Sequence, residues 1–201
     1  MTGVLLIWGL RVKKTALGTV RIISGTLKGS KLPVLDSDGL RPTSDRVRET
    51  LFNWIQHSIQ GRMALDMFAG SGALGFEAAS RQASKVILLE REPAAAALLE
   101  ESKQRLKIDN AVIIQTDSLA WLREHSGPSF DLVFIDPPYS SDLWPTIWPV
   151  LEPHMAEGGR VYLEHDVRRS VVLPEGFTLL KEGRTSQSRF MLVQWHKPPV
   201  G

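Results

Sequence analysis

Beyond Gly61, apolar segments of strand length alternate along the chain with segments of helical periodicity. The first pair is the apolar run Ala64–Phe68, followed by a glycine-rich turn and a helix over about 73–81. Regular alternation of this kind predicts an α/β, Rossmann-like fold, with a mostly parallel seven-stranded sheet and helices on both faces. The other predicted elements are strands at Val86–Glu90, Val112–Thr116, Phe130–Asp136, Gly159–Glu164, Phe177–Lys181 and Ser188–Trp195, and helices at Pro93–Leu106, after Asp117, and over 143–155 with interruptions at Pro145 and Pro149.

The part of the chain before Gly61 has a different pattern. Short apolar stretches broken by glycines at Val20–Leu35 predict a small β-hairpin. A helix with an apolar stripe follows, with Thr43 or Ser44 as its N-cap. We therefore predict three regions: a flexible N-terminal tail at 1–19, a basic β-hairpin extension at 20–40, and the main domain at 41–197.

Composition limits the kinds of site that the chain can form. It has no cysteine, and its five histidines are scattered, so we expect no metal site. No apolar run approaches the ~18 residues that span a membrane. Residues 11–48 carry nine Lys or Arg and three Asp, a net charge of +6, so the remainder of this +2 chain carries −4. A basic front end indicates either a polyanionic partner or a solvated basic face, and charge alone does not separate the two.

The first candidate site is the glycine-rich turn that follows Ala64–Phe68. Gly70, Gly72 and Gly75 match the GxGxxG pattern, which brings backbone N–H groups and a helix N-terminus close to a ligand. Glu90 closes the next strand, where a carboxylate can accept both ribose hydroxyls. This pattern fits a dinucleotide and S-adenosylmethionine equally well. The residues predicted to bind the cofactor are Asp66, Phe68, Gly70, Ser71, Gly72, Glu90 and Asp117, although Asp117 could instead cap the next helix.

The second candidate site, Asp136-Pro137-Pro138-Tyr139, decides between these cofactors. It follows the fourth strand, at the edge where open α/β sheets bind ligands. A conjugated amine is a poor nucleophile, and hydrogen bonds accepted by the Asp136 side chain and the Pro137 carbonyl favour the pyramidal nitrogen that attacks a methyl group. The prolines fix the direction of that carbonyl, and Tyr139 can stack on an extruded base. These four residues are therefore predicted to be the catalytic site of an S-adenosylmethionine-dependent methyltransferase acting on a base amine.

A third segment, 40–52, combines arginine with proline and threonine at the start of the predicted helix. Arg41, Arg46 and Arg48 are predicted to bind RNA by gripping phosphates, which positions a nucleic acid without reading its sequence. Arg46 and Glu49 could alternatively form an exposed pair on the helix surface.

Four segments, in this order and spacing, resemble the RsmD family of bacterial enzymes that methylate a guanine N2 in 16S ribosomal RNA. They are RIISGTLKGSKLPV, GLRPTSDRVRETLFNW, LDMFAGSGALGFEA and FIDPPY, of which the second is the most selective. The resemblance covers most of the chain from Val20 to Trp195. It implies S-adenosylmethionine as cofactor, and as substrate the N2 amine of guanine 966 of 16S rRNA in the 30S subunit or its assembly intermediate. We expect a cytoplasmic monomer without a membrane or metal partner.

Several other functions share part of these features. N6-adenine methylation of DNA or RNA uses the same amine chemistry, but a DNA enzyme usually carries a larger recognition domain than a hairpin of about 40 residues. Methylation of a protein glutamine is disfavoured by the basic front end. A catalytically idle RNA-binding assembly factor would not need an intact glycine turn, Glu90 and Asp136-Pro137-Pro138-Tyr139. An NAD-dependent oxidoreductase fits the glycines but gives the second site no role.

Overall fold

The computed structural model describes residues 16–35, 44–127, 129–138 and 143–198. These residues form two sheets, flanking α-helices and a short 3₁₀ helix at Glu152–His154. The strands are β1 (Ala16–Arg21), β2 (Lys31–Leu35), β3 (Met63–Asp66), β4 (Lys85–Glu90), β5 (Ala111–Gln115), β6 (Phe130–Ile135), β7 (Met155–Asp166), β8 (Phe177–Arg184) and β9 (Ser188–Trp195). The helices are α1 (Asp45–Ile55), α2 (Gly75–Ser80), α3 (Pro93–Leu106), α4 (Ser118–Glu124) and α5 (Trp144–Leu151).

Seven strands form the main sheet, in the order β5-β4-β3-β6-β7-β9-β8. Neighbouring strands are parallel except that β9 runs antiparallel to both β7 and β8. The chain moves outward from β3 to β5 and then returns to β6 on the other side of β3, so the strand order reverses between β3 and β6. The predicted α/β fold, with its mostly parallel seven-stranded sheet and antiparallel finish, is confirmed. Ligands of such sheets bind at the carboxyl ends of the strands beside this reversal.

The two faces of the sheet bury separate apolar clusters. Consecutive strand residues point to opposite faces, so Leu132 packs with α1, α2 and α3 whereas Val133 packs with α4 and α5. Helix α1 begins as predicted at the N-cap Ser44, whose side chain accepts a hydrogen bond from Val47 N. The helices therefore cover both faces and leave the ends of the strands open.

Several predicted boundaries differ from those observed, including those of β1 and α5. Strand β1 begins at Ala16, inside the region predicted as a tail, because its pairing with β2 extends to Leu35. Residues 1–15 and 36–43 lie outside the described residues. Helix α5 is not interrupted by its prolines. Pro145 occupies the first turn, where no amide hydrogen is needed, and Pro149 removes a single helical hydrogen bond.

The connection between β1 and β2 is anchored to α2 by the buried carboxylate of Glu77. This side chain accepts hydrogen bonds from Ile23 N (2.6 Å) and Ser24 N (3.0 Å), and from Arg81 Nε (2.7 Å). A Cβ added at Gly25 would collide with the carbonyl of Ser80, which allows the connection to approach α2 closely. The hairpin is thus packed onto the main domain through named polar contacts.

The structure corrects the role predicted for Arg48. Its side chain is fully buried, and its guanidinium donates to the Arg21 carbonyl (2.9 Å) and to Asp45 Oδ1 (2.6 Å). On α1 it lies on the same face as Leu51 and Phe52, both of which are buried. Arg48 therefore joins β1 to α1 and does not present its charge to RNA phosphates.

Neither a membrane span nor a metal centre is found within the described ranges. No helix there is long and apolar enough to cross a bilayer. No group of three or more His, Asp or Glu side chains there could hold a metal ion.

Candidate active site

The turn between β3 and α2 is built on the buried carboxylate of Asp66, the last residue of β3. Asp66 Oδ2 accepts a hydrogen bond of 2.9 Å from Gly75 N, which ties the two ends of the turn together. Because Gly75 begins α2, the bond also satisfies an amide group at the helix N-terminus. A Cβ at Gly75 would lie 2.7 Å from Leu88 Cδ2 and 3.1 Å from Asp66 Oδ2. The third glycine of the pattern is therefore required by packing of α2 against the sheet.

Gly70 and Gly72 both adopt positive φ, 52° and 78°, which L side chains rarely adopt. A Cβ at Gly72 would lie 2.6 Å from Phe76 Cδ2 and 2.7 Å from Leu99 Cδ2. A Cβ at Gly70 would meet only the carbonyl of Phe68 among the described residues, at 4.0 Å. Gly72 is thus enclosed by protein, whereas the backbone of Gly70 faces open space.

Glu90, at the end of β4, holds this turn in place. Its Oε2 accepts a hydrogen bond from Gly70 N (2.8 Å), and its Oε1 accepts one from Glu92 N (2.7 Å). Ala69 N also donates to Leu89 O at 3.0 Å, which fixes the turn against β4. Since each carboxylate oxygen has a second lone pair, Glu90 can still accept two ribose hydroxyls.

Asp117 caps α4, as the sequence analysis allowed. Its Oδ1 accepts a hydrogen bond of 3.0 Å from Ala120 N, and the side chain remains exposed. The next residue, Ser118, is buried and its hydroxyl donates to the carbonyl of Met67, so α4 is joined to the glycine-rich turn. The sequence analysis did not identify Ser118. The available signal was its position directly after Asp117, the candidate site residue that follows β5.

Phe68 and Ser71 complete the predicted cofactor set, and both are partly exposed in the turn. Phe68 packs against the apolar cluster that contains α4 and α5. The set therefore gathers at the carboxyl ends of three neighbouring strands, β3, β4 and β5.

Strand β6 brings the second predicted site to the same edge. Phe134 pairs with Asp66 across β6 and β3, and Met67 N donates to the Phe134 carbonyl at 3.0 Å. Asp136 follows two residues later, just past the point where β3 ends. The glycine-rich turn and Asp136 thus lie side by side where the strand order reverses.

A small cleft borders this second site. Pro137 is buried and Pro138 is exposed, and both line the cleft, whereas Tyr139 lies outside the described residues. The predicted strand ended at Glu164, but β7 continues to Asp166 and carries the chain to the cleft. The cleft residues that sequence reasoning missed are Trp144, Glu164, His165, Asp166 and Arg169.

The charges in this cleft are set by burial and by ion pairing. Burial lowers the pKa of His165, which keeps the imidazole neutral at pH 7. Its Nδ1 lies 2.9 Å from the Asp166 carbonyl, which can only accept, so Nδ1 carries the proton. Its Nε2 is then a buried acceptor with no hydrogen-bond partner among the described residues. Hydrogen bonds from Arg168 hold the pKa of the Asp166 carboxyl well below its usual range.

The three arginines predicted to contact RNA are not brought together in the described part of the chain. Arg46 is exposed on α1, Arg48 is buried, and Arg41 lies outside the described residues. Arg46 therefore stays a candidate phosphate contact by itself.

We expect Asp66→Asn to change how the stability of the protein depends on pH. Burial raises the pKa of Asp66 to about 7, and the negative charge of Glu90 adds to the effect. Between pH 4 and pH 7 the folded state then holds a proton that the unfolded state releases, so this group makes the free energy of unfolding fall as pH rises. The asparagine carbonyl can still accept from Gly75 N without that cost. Urea denaturation should show the variant gaining stability relative to wild type from pH 5 to pH 8, by about 2.5 kcal/mol. An equal difference at both pH values would contradict a raised pKa.

Comparison with known proteins finds relatives over most of the chain. The sequence family described as conserved hypothetical protein 95 matches residues 20–194. The ribosomal RNA small subunit methyltransferase D of Haemophilus influenzae is 44% identical over 184 residues, which are 89% of this chain and 95% of that protein. The protein of the same name from Escherichia coli K12 is 39% identical over 180 residues, 88% of this chain and 90% of that protein.

Solved structures give the same result. The structure of yhhF from Escherichia coli superposes with a TM-score of 0.79 at 39% identity, and covers 89% of this chain and 99% of that chain. A more distant structure, complexed with SAH, has a TM-score of 0.66 at 16% identity, covers 82% of this chain and 53% of that chain, and shows the shared fold alone. The chain belongs to the RsmD family of methyltransferases, the family described as conserved hypothetical protein 95.

Proposed function

We propose that this protein transfers a methyl group from S-adenosylmethionine to the exocyclic N2 of a guanine in 16S rRNA, within the small ribosomal subunit or its assembly intermediate. The observation that carries the proposal is the position of Asp136 and Pro137 beside the glycine-rich turn, at the carboxyl edge of β3 and β6. At that edge the Asp136 side chain and the Pro137 carbonyl can accept hydrogen bonds from an amine. The adjacent glycine-rich turn is suited to a cofactor that contains a nucleoside. RNA is proposed as the substrate because the two relatives described above are named ribosomal RNA small subunit methyltransferases.

The residues of the turn fit an adenosine-containing cofactor. Gly70 has positive φ and open space where a Cβ would stand, so its backbone allows a ligand to approach closely. Glu90 retains lone pairs for ribose hydroxyls, and the exposed carboxylate of Asp117 can accept from the adenine amine. S-adenosylmethionine supplies an electrophilic methyl carbon when bound. We assign cofactor binding to Asp66, Phe68, Gly70, Ser71, Gly72, Glu90 and Asp117.

The catalytic role that we assign to Asp136 and Pro137 is to accept hydrogen bonds from the target amine. The guanine N2 lone pair is delocalised into the ring, and two acceptors draw the N–H groups out of the ring plane. This stabilises the attacking nitrogen more in the transition state than in the ground state, which is the condition for acceleration. No strong base is needed, because the nitrogen becomes acidic only after it has received the methyl group and then loses one proton to solvent. Pro138 holds the backbone, and we expect Tyr139 to stack on the extruded base.

Arg46→Ala is expected to weaken RNA binding and to reduce its salt dependence. An exposed arginine that contacts one phosphate contributes about one unit to the slope of log K against log salt concentration. Titration of unmethylated small-subunit RNA from 0.05 to 0.3 M salt measures that slope. Arg123→Ala, an exposed arginine in the last turn of α4, is the matched control. Equal slopes for wild type and Arg46→Ala would remove Arg46 from the phosphate contacts.

The proposed function is tested by supplying the purified protein with methyl-labelled S-adenosylmethionine. The acceptors are unmethylated small subunits, naked 16S RNA and DNA, and the labelled nucleosides are identified after digestion. Label in N2-methylguanosine, with particles preferred over naked RNA, is the expected result. Label in methyladenine would keep the cofactor and overturn the target base. Cofactor binding without transfer to any nucleic acid would favour a protein substrate or an idle assembly factor.

A further inference from the structure

Two turns meet at the carboxyl edge of the sheet, beyond the cleft described above. Strand β7 ends at Asp166, which pairs with Ser188 at the start of β9. Val167 N then donates to the Gln187 carbonyl at 2.9 Å, so the turn after β7 is joined to the turn between β8 and β9. Because β7 runs parallel to β6, both turns lie at the same edge as Asp136.

These two turns carry an arginine cluster, defined as Arg168, Arg169, Arg184 and Arg189. All four side chains are exposed. Arg168 pairs with Asp166 (Nε to Oδ1, 2.9 Å) and Arg189 pairs with Glu182 (2.6 Å). Within the described residues, Arg169 and Arg184 have no carboxylate within ion-pair distance. Two of the four charges of the cluster are therefore not neutralised by an ion pair within the described residues.

The position of Arg184 is unfavourable in the protein alone. Arg184 and Arg189 are directly opposite each other in the antiparallel pair of β8 and β9. Like charges in that position destabilise a hairpin. The turn between them is fixed, since Thr185 Oγ1 accepts from both Gln187 N and Ser188 N, and the two arginines are thus held side by side. A bound anion would remove this repulsion.

The cluster also borders the cleft. Arg169 lines the cleft together with Pro137 and Pro138, and Arg189 is paired in register with His165, another cleft residue. A nucleotide whose base lies against Asp136 and Pro137, beside this cleft, has its own phosphates within one nucleotide of that base. The phosphates of the RNA strand that carries the base are therefore the anions closest to the cluster.

We propose that this arginine cluster is an RNA-binding surface, which grips the phosphates flanking the target guanine and holds the strand while the base lies against Asp136 and Pro137. The inference rests on the proposed function and adds to it a surface on β7, β8 and β9, far in sequence from the basic N-terminal segment. Arginine suits this role because its planar guanidinium binds phosphate in a bidentate manner.

The test compares Arg169→Ala/Arg184→Ala with Arg62→Ala/Arg123→Ala. Each double variant removes two exposed positive charges. Arg62 lies at the amino end of the strands, next to β3, and Arg123 is in the last turn of α4. Binding to an unmethylated 16S RNA fragment is measured from 0.05 to 0.3 M salt, and the affinity for S-adenosylmethionine is measured by calorimetry.

Two lost phosphate contacts should lower the salt slope by about 1.4 to 2 units. RNA affinity should fall roughly 10- to 30-fold at 0.1 M salt. The affinity for S-adenosylmethionine should stay as in wild type, and the control should keep the wild-type slope. An equal loss in the control would mean that net charge alone matters, and would overturn the proposal. An unchanged slope in Arg169→Ala/Arg184→Ala would overturn it as well, while wild-type transfer to guanine would leave the proposed function intact. If wild type neither bound nor methylated RNA, the proposed function and this inference would fall together.

Discussion

Replacing Asp136 by alanine is expected to lower the rate of methyl transfer at saturating substrate by about 10²–10³-fold, the usual loss when a group that stabilises the transition state is removed. The affinity for S-adenosylmethionine should change little, because the cofactor residues belong to other strand ends. The rate is measured as kcat on unmethylated particles, and the affinity by calorimetry. Equal losses of rate and cofactor affinity would instead indicate a damaged fold.

Two variants serve as controls for Asp136→Ala. Asp109→Ala removes an exposed carboxylate that lies between α3 and β5, at the amino edge of the sheet, and should have wild-type activity. Asp136→Asn keeps one acceptor oxygen and loses the charge, so its rate should fall between those of wild type and Asp136→Ala. If Asp136→Ala retained most of its activity, the amine would be polarised by other groups.

The sequence predicted the main domain well because local patterns determine its elements. The sequence predicts helix α3 at Pro93–Leu106, as observed. A proline marks its first turn, and helix-forming residues continue without interruption from there to Leu106. Strand β9 was predicted at Ser188–Trp195 for a similar reason, an apolar run bounded by polar residues. The glycine-rich turn and Asp136 lie side by side because they follow β3 and β6, and the carboxyl ends of neighbouring parallel strands share one edge.

The failures come from contacts between residues distant in sequence. Arg48 looked like a phosphate contact because its neighbours are basic, but the partner that holds it is the carbonyl of Arg21, 27 residues away. A local signal existed, since Arg48, Leu51, Phe52 and Ile55 have the spacing of one buried helix face. The arginine cluster had no such signal, because it depends on the turn after β7 meeting the turn before β9.

Together, these observations divide the basic charge of the chain into two groups. The N-terminal group was expected from the sequence to contact RNA. One of its members, Arg48, is buried in the folded protein and cannot do so. The arginine cluster lies in the part of the chain after residue 48, whose net charge is −4, and its unpaired charges become evident only in the folded protein. The position of a charge in the fold, rather than the balance of charge along the chain, therefore indicates where a polyanion can bind.

Alanine substitutions in the glycine-rich turn should separate folding from cofactor binding. Gly70, Gly72 and Gly29 all have positive φ, so alanine at each carries a similar backbone cost of about 1–2 kcal/mol. Only at Gly72 would the new Cβ meet buried side chains, Phe76 and Leu99, and overpacking adds about 1–3 kcal/mol. Urea denaturation should therefore show Gly72→Ala destabilised by about 2–5 kcal/mol, and the other two by clearly less.

Cofactor affinity should follow a different order. At Gly70 the Cβ would project into the open space that we assign to the cofactor, so Gly70→Ala should weaken S-adenosylmethionine binding at least 10-fold while its stability falls only by the backbone cost that Gly29→Ala also carries. Gly29 lies between β1 and β2 with nothing within 4 Å of an added Cβ, and Gly29→Ala should bind as wild type does. Calorimetry with S-adenosylmethionine decides the matter. Unchanged binding by Gly70→Ala would take the turn out of the cofactor site, and a Gly72→Ala protein as stable as Gly29→Ala would show that Phe76 and Leu99 can move aside.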